Sequence, residues 1–213
     1  MMNCFRYKLD HDYGFAPNPF HGVLSLATCK SQLRMNNNVK IGDWVVGLGS
    51  RAMDNLHHII FAMKVEEIIT FDQYWEDPRF ECKKAVITGS LVQMYGDNVY
   101  HTDTSGRVIQ EYCAHSKPGG RTNGKHWKRD VSGKNVLLSR TFFYFGENSP
   151  VIPGQFAYID NDSRAIKYKD LQDEDSKIQA FVDWLETTYG QGIHSDPCNW
   201  KEFDLPKLDI YEG

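Results

Sequence analysis

The chain has 213 residues, 41% hydrophobic and 13% aromatic, enough to bury the core of a single domain over residues 1–213. Its net charge of −4 excludes a molecule-wide positive field for a long duplex, so any nucleic-acid contact has to be local or limited to one nucleotide. The opening MMNCFRYKLDHDYGF lacks an apolar signal segment, and no apolar run approaches the roughly 18 residues of a bilayer span, so no membrane partner is expected.

Five cysteines (Cys4, Cys29, Cys82, Cys113 and Cys198) are odd in number, scattered and without a C-x-x-C pair, which points to reduced thiols in a cytoplasmic protein. In chain order, Cys4–Lys8 alternates like an opening strand, and Gly14–Gly22 (GFAPNPFHG) is an extended loop stiffened by Pro17 and Pro19. Val23–Lys30 reads equally as a strand or the start of a short helix. Ile41-Gly42-Asp43 is turn chemistry, followed by the strand Trp44-Val45-Val46 and the side-chain-poor Gly47, Gly49 and Ser50. Ile59–Val65 is a second strand, Asp72–Trp75 a short helix ending before Pro78, and Val86–Met94 a strand-like segment. Asp103–Gly106 is a polar turn, and His115–Asp130 a glycine-rich basic loop without apolar period. Val136–Phe145 reads as one buried strand. Asp175–Tyr189 is an amphipathic helix with Ile178, Phe181, Val182 and Leu185 on one face, Asp173–Asp175 at its start and Gly190 as its stop. Cys198–Gly213 reads as a packed strap or a frayed end. Strands outnumber helices, so an α+β or mostly β domain is expected.

No P-loop, dinucleotide fingerprint, H-E-x-x-H or G-x-S-x-G motif is present. Adjacent His57-His58 would point to opposite faces of a strand, and Cys113-Ala-His115 offers two ligands, too few for zinc, so neither a metal nor another cofactor is expected. Cys113 with His115 also fits a nucleophile and base, against a buried inert thiol. Tyr95-Gly96-Asp97-Asn98-Val99-Tyr100-His101 combines edge donors and acceptors with flat rings, as a base-reading pocket requires and as an ordinary turn also shows. Asn18, framed by two prolines, is either pre-set toward a ligand or part of a stiff surface loop. Arg6, Lys30 and Arg34, with Lys117, Arg121, Lys125, Lys128 and Arg129 around Trp127, are candidate phosphate contacts or solvated charges.

The segments Arg6-Tyr7-Lys8, Gly14–Phe20, Leu26–Lys30, Gly42–Val45, Tyr95–Asn98 and Phe143–Gly146 resemble the nucleotide modification associated domain 2 family over roughly residues 4–200. That resemblance implies a bacterial or phage context of base modification or conflict. More distantly, Lys40-Ile-Gly-Asp43, Ile59–Val65 and Phe71–Phe80 resemble PUA-like domains of the EVE and ASCH kind, which implies a small barrel with few peripheral helices. Its core would span about 4–170, with the C-terminal helix and tail over about 171–213. The chain departs from the EVE pattern where Gly47-Leu48-Gly49-Ser50 replaces an aromatic-rich strand end.

The resulting expectation is a protein that binds a nucleotide or modified nucleobase, with nucleic acid and a homo-oligomeric partner left open. The ligand would meet Asn18, Trp44, Gly47, Gly49, Ser50, Tyr95, Asp97, Asn98 and Tyr100, and its phosphate Arg6, Lys30, Lys117, Arg121, Lys125 and Lys128. Two alternatives stand beside it. One is a transferase or hydrolase acting on a base or nucleotide through Asp97, His101 or His115. The other is a phage-type protein that sequesters a signalling nucleotide.

Overall fold

The computed structural model describes residues 2–160, 169–170 and 175–200. In chain order these form β1 (Cys4–Lys8), β2 (Leu24–Leu26), α1 (Ser31–Arg34), β3 (Trp44–Leu48), β4 (Ile59–Lys64), β5 (Glu67–Thr70), α2 (Phe71–Glu76) and α3 (Leu91–Met94). There follow β6 (Tyr100–Thr102), β7 (Val108–Gln110), α4 (Gly124–Val131), β8 (Asn135–Ser139), β9 (Phe142–Tyr144), β10 (Lys169–Asp170), α5 (Asp175–Thr188) and β11 (Gly192–Ile193). The chain is a mixed α/β protein organised as two compact units, one from Met1–Asp12, Asn38–Glu66 and Ser139–Trp200, the other from Tyr13–Asn37 and Glu67–Leu138.

The first unit is built on a six-stranded sheet in the order β10-β1-β3-β4-β9-β11. β1 and β3 are parallel, while β3–β4 and β4–β9 are antiparallel. The turn into β3 forms as its residues dictate. Gly42 takes φ 98°, and Asp43 Oδ2 accepts the N–H of Lys40 at 2.8 Å. α5 lays Ile178, Phe181, Val182 and Leu185 into a core shared with Trp44, Val46, Leu48, Ile59 and Phe143. Asp173 and Glu174, expected at its acidic start, lie outside the described residues, as does the tail beyond Trp200.

The expected PUA-like barrel is corrected here, because the sheet runs linearly between β10 and β11 and no closed barrel forms among the described residues. One physical reason is visible at Arg140-Thr141. The single strand expected over Val136–Phe145 breaks there into β8 and β9, which join different sheets. The Glu66 carboxylate holds the break by accepting the N–H groups of Arg140 and Thr141 and the Thr141 hydroxyl, and these bonds keep its pKa low despite burial.

Gly47 and Gly49 give up their side chains to internal neighbours. A methyl on Gly47 would run into the Phe61 ring and Leu9, and one on Gly49 into Asn55. Gly47→Ala is therefore expected to cost about 1–3 kcal/mol in urea unfolding, as overpacking does. A loss below about 0.5 kcal/mol would show that Phe61 can move aside.

The second unit holds a three-stranded sheet, β2-β8-β5, and a β6–β7 ribbon. Capping boxes Thr70/Gln73 and Ser90/Gln93 start α2 and α3. The capping box places a helix where alternation suggested a strand across Val86–Met94. The expected loop over His115–Asp130 is likewise corrected, since Asn123 accepts the N–H groups of Lys125 and His126 and starts α4.

Candidate active site

Within the second unit, β2 runs into a sharp turn before α1. At this turn Cys29 and Lys30 hold φ values of 51° and 34°, both left-handed and both on residues with a Cβ. Such conformations cost energy and persist only where surrounding bonds impose them. Those bonds are present. Cys29 N–H donates to Asp130 Oδ1 at 2.9 Å, and its carbonyl accepts from Arg34 Nε at 2.9 Å. Arg34, itself buried, also donates to the carbonyls of Asp130 (2.6 Å) and Asn135 (2.9 Å). It thereby ties the Cys29 turn, the end of α4 and the start of β8 together.

The turn presents a thiol to an imidazole. Cys29 Sγ lies 3.6 Å from His115 Nε2, and His115 Nδ1 lies 2.6 Å from Asp130 Oδ2. Asp130 is fully buried and also accepts from Tyr100 Oη at 2.9 Å and Arg129 Nε at 3.2 Å. Phe15 packs edge-on against the His115 ring at 4.7 Å and fixes its plane. Cys29 as a residue is half-buried.

The charges of this cluster reinforce one another. Burial alone would raise the Cys29 thiol, but the His115 imidazolium and the Arg129 guanidinium bring it below its ordinary value. Burial would likewise lower His115, yet the thiolate and the Asp130 carboxylate raise it to about 9. Asp130 overcomes its own burial and falls to about 2 because His115, Arg129 and Arg34 surround it. The charges therefore favour a thiolate–imidazolium pair oriented by a carboxylate, the arrangement of a nucleophile, its base and the group that fixes the base.

Cys29, His115 and Asp130 have ligand atoms within 4.8 Å of one another, as a metal site would. Asp130 spends its oxygens on Cys29 N–H, His115, Tyr100 and Arg129, which leaves only Cys29 Sγ and His115 Nε2 facing outward. Two ligands beside a guanidinium 3.5 Å from the sulfur make a poor zinc site.

The model for nucleotide modification associated domain 2 matches residues 1–204. The chain belongs to this family. No curated protein and no solved structure matches it. The family ties this chain to nucleotide modification, and no described helix is long and apolar enough to cross a membrane.

The sequence-predicted residues of this nucleotide modification associated domain fall in both units. Arg6, Trp44, Gly47, Gly49 and Ser50 belong to the first. Trp44 is 2% exposed and stacks on Phe143 at 6.4 Å, and Arg6 is buried on β1.

In the second unit, Asn18 and Asp97 are buried together around Lys83. The Lys83 ammonium donates to Asn18 O, Asn18 Oδ1 and Ser25 Oγ at 2.7–3.0 Å. Asp97 accepts from Ser25 Oγ (2.7 Å) and Tyr74 Oη (2.9 Å). Asn98, also buried, donates to the carbonyls of Tyr74 and Phe80, and its Oδ1 has no partner among the described residues. Tyr95 stacks on Tyr13 at 5.5 Å. His101 pairs with Glu111 at 2.7 Å and stacks on Trp75.

His115, Tyr100, Arg34 and Arg129 are the predicted residues that converge on the triad, the two arginines by bonding to Cys29 and Asp130. The thiol paired with His115 is corrected from Cys113 to Cys29. Cys113 is buried, contacts Ser116 at 3.7 Å and is pushed up to about 11. Cys29 and Asp130 were missed because they lie 101 positions apart. The one local signal was Asp130 itself, the lone acid closing the basic run KHWKRD. Lys117, Arg121, Lys125 and Lys128 are exposed, and Lys30 is half-buried beside Cys29.

Proposed function

We propose that this chain is an enzyme of nucleotide modification, a transferase or hydrolase, that works through a covalent intermediate on Cys29. The observation that carries this reading is the continuous contact from Cys29 Sγ through His115 to the buried Asp130. The thiolate sulfur attacks an electrophilic carbon of the nucleotide or modified base, and the C–S bond forms as the bond to the leaving group breaks with its electron pair. His115 Nε2–H gives its proton to the leaving group. A water or acceptor nucleophile then attacks the same carbon, returns a proton to His115 Nε2 and releases the Cys29 thiolate. Asp130 stabilises the imidazolium whenever it is present and sets the orientation of the ring throughout.

Alkylation by iodoacetamide, read peptide by peptide by mass spectrometry, tests the resting state. Cys29 is expected to react near pH 6 at least about tenfold faster than an ordinary thiol, and His115→Ala to move its profile up toward about 8.5. Exposed Cys82 serves as the internal reference, while Cys4 and Cys113 are buried and held at about 12 and 11. A Cys29 profile superimposable on that of Cys82 overturns the proposal. Recovery of a nucleotide-derived mass on the Cys29 peptide, absent in Cys29→Ser, would identify the substrate.

A further inference from the structure

The acidic chain carries five basic side chains between Tyr112 and Arg129 with no Asp or Glu among them. Three of these, Lys125, Lys128 and Arg129, stand on α4, where Lys125 lies one turn before both Lys128 (i, i+3) and Arg129 (i, i+4), with Cβ atoms about 5–6 Å away. The two lysines are exposed, and neither has a side-chain partner among the described residues.

Arg129 links this basic face to the reactive thiol. Its Nε is spent on Asp130, and its Nη2 lies 3.5 Å from Cys29 Sγ and 3.5 Å from His126 Nδ1. These bonds fix the plane of the guanidinium. Its Nη1 has no partner among the described residues, and the side chain is 44% exposed. The result is a rigid fork beside the nucleophile with part of its donor set open to solvent, suited to a planar or tetrahedral oxyanion. A thiolate repels an anion at this range, and an arginine between the two offsets that repulsion. Lys125, one helical turn from Arg129, and Lys128, next to it in the chain, extend the positive field beyond the guanidinium.

We infer that the substrate of the Cys29 site is held through phosphate, with Arg129 taking the phosphate nearest the thiolate and Lys125 and Lys128 the charge beyond it. This rests on the reading of Cys29 as the nucleophile. The shared chemistry is phosphate, supplied by a free nucleotide or by the phosphodiester of a nucleic-acid strand.

The test compares an anionic with a neutral alkylating agent on the whole chain. The iodoacetate-to-iodoacetamide rate ratio at Cys29 is expected to exceed that at Cys82 by about tenfold and to fall to the Cys82 value in Arg129→Gln. Because this is a ratio, it is measurable whether or not Cys29 is unusually reactive, so failure of the nucleophile reading and failure of the anion site give different results. Pyrophosphate is expected to slow alkylation of Cys29 and not of Cys82, and Lys125→Gln/Lys128→Gln to weaken this protection about tenfold. Protection at lower concentration by a nucleoside triphosphate supports a free nucleotide, and by a single-stranded oligonucleotide a polymer substrate. Equal rate ratios at Cys29 and Cys82, with no protection by pyrophosphate, triphosphate or oligonucleotide, would overturn the inference.

Discussion

Asp130→Asn is expected to leave the chain folded while lowering any Cys29-dependent turnover by about 10²–10⁴-fold and Cys29 alkylation at neutral pH by at least about tenfold. An asparagine can keep the bond from Cys29 N–H, since its amide oxygen replaces Asp130 Oδ1. Its NH₂ group, however, faces His115 Nδ1 and donates where the carboxylate accepted. The neutral imidazole then carries its proton on Nε2, so the nitrogen facing Cys29 has no lone pair for the thiol proton. His115 also loses a charge that helps hold it at about 9, and the thiol rises toward its ordinary value.

The pH dependence of stability follows with defined signs. The contribution of Asp130 is fully present above its unfolded value near 3.9 and is lost as pH falls through about 2. That of His115 is fully present below its unfolded value of 6.5 and is lost as pH rises through about 9. Asp130→Asn removes the acid limb. Tyr100→Phe is the control, because it deletes a hydrogen bond to the same carboxylate without touching the charge, and it should shift the alkylation profile far less. An Asp130→Asn profile identical to wild type would mean that the carboxylate merely anchors the Cys29 turn.

The parts of the fold that were legible share one property: their determinants are close in sequence. β1, β3, β4, α2 and α5 declare themselves by alternation, by β-branched runs or by a 3.6-residue apolar face, and the Gly42-Asp43 turn by two residues. The break between β8 and β9 is different, because VLLSRTFFYF is uniformly strand-forming and the agent that bends it, Glu66, lies some seventy-five positions earlier. α4 was hidden by composition. GKHWKRDV has no apolar stripe, since Trp127 is only partly buried, with its indole N–H tied to Val108 O, and the helix depends on the Asn123 cap and on Arg34 at its far end. The same long range conceals the triad. His115 could be singled out as a base from a nearby cysteine, but which thiol it faces is decided by β2, the Cys29 turn and α4 meeting, and no local pattern records that. Asn18 and Asp97 were conspicuous for a related reason. A framed amide and a carboxylate in a glycine-rich stretch suit a pocket and suit a buried polar network equally well, and here Asn18 bonds Lys83 directly while Asp97 is joined to it through Ser25.

That network gives the largest stability effect expected in the chain. Lys83 is 1% exposed, and burial lowers its ammonium to about 8, while burial raises the Asp97 carboxyl against the opposing pull of Lys83. Each charge is tolerable only because the other is close and because Asn18, Ser25 and Tyr74 fill the remaining donor and acceptor positions. Asp97→Ala leaves the ammonium buried without its counter-charge and should cost about 3–5 kcal/mol in chemical denaturation, with Lys83→Met similarly destabilising. The double variant Lys83→Met/Asp97→Leu removes both charges and should recover a large part of the loss, because the expense lies in the uncompensated ion rather than in the missing attraction. Strict additivity of the two single losses would show that the groups do not interact. The network also ties Ser25, in the middle of β2, to Asp97, and β2 leads directly into the Cys29 turn. Asp97→Ala is therefore expected to slow Cys29 alkylation as well, by loosening the strand that aims the thiol, whereas Asp97→Asn, which keeps an acceptor for Ser25, should lose stability while preserving most of the Cys29 reactivity. A direct acid–base role for Asp97 predicts the reverse for turnover, with the asparagine variant as inactive as the alanine, and the comparison of the two substitutions decides between a support beneath the nucleophile and a participant in the reaction.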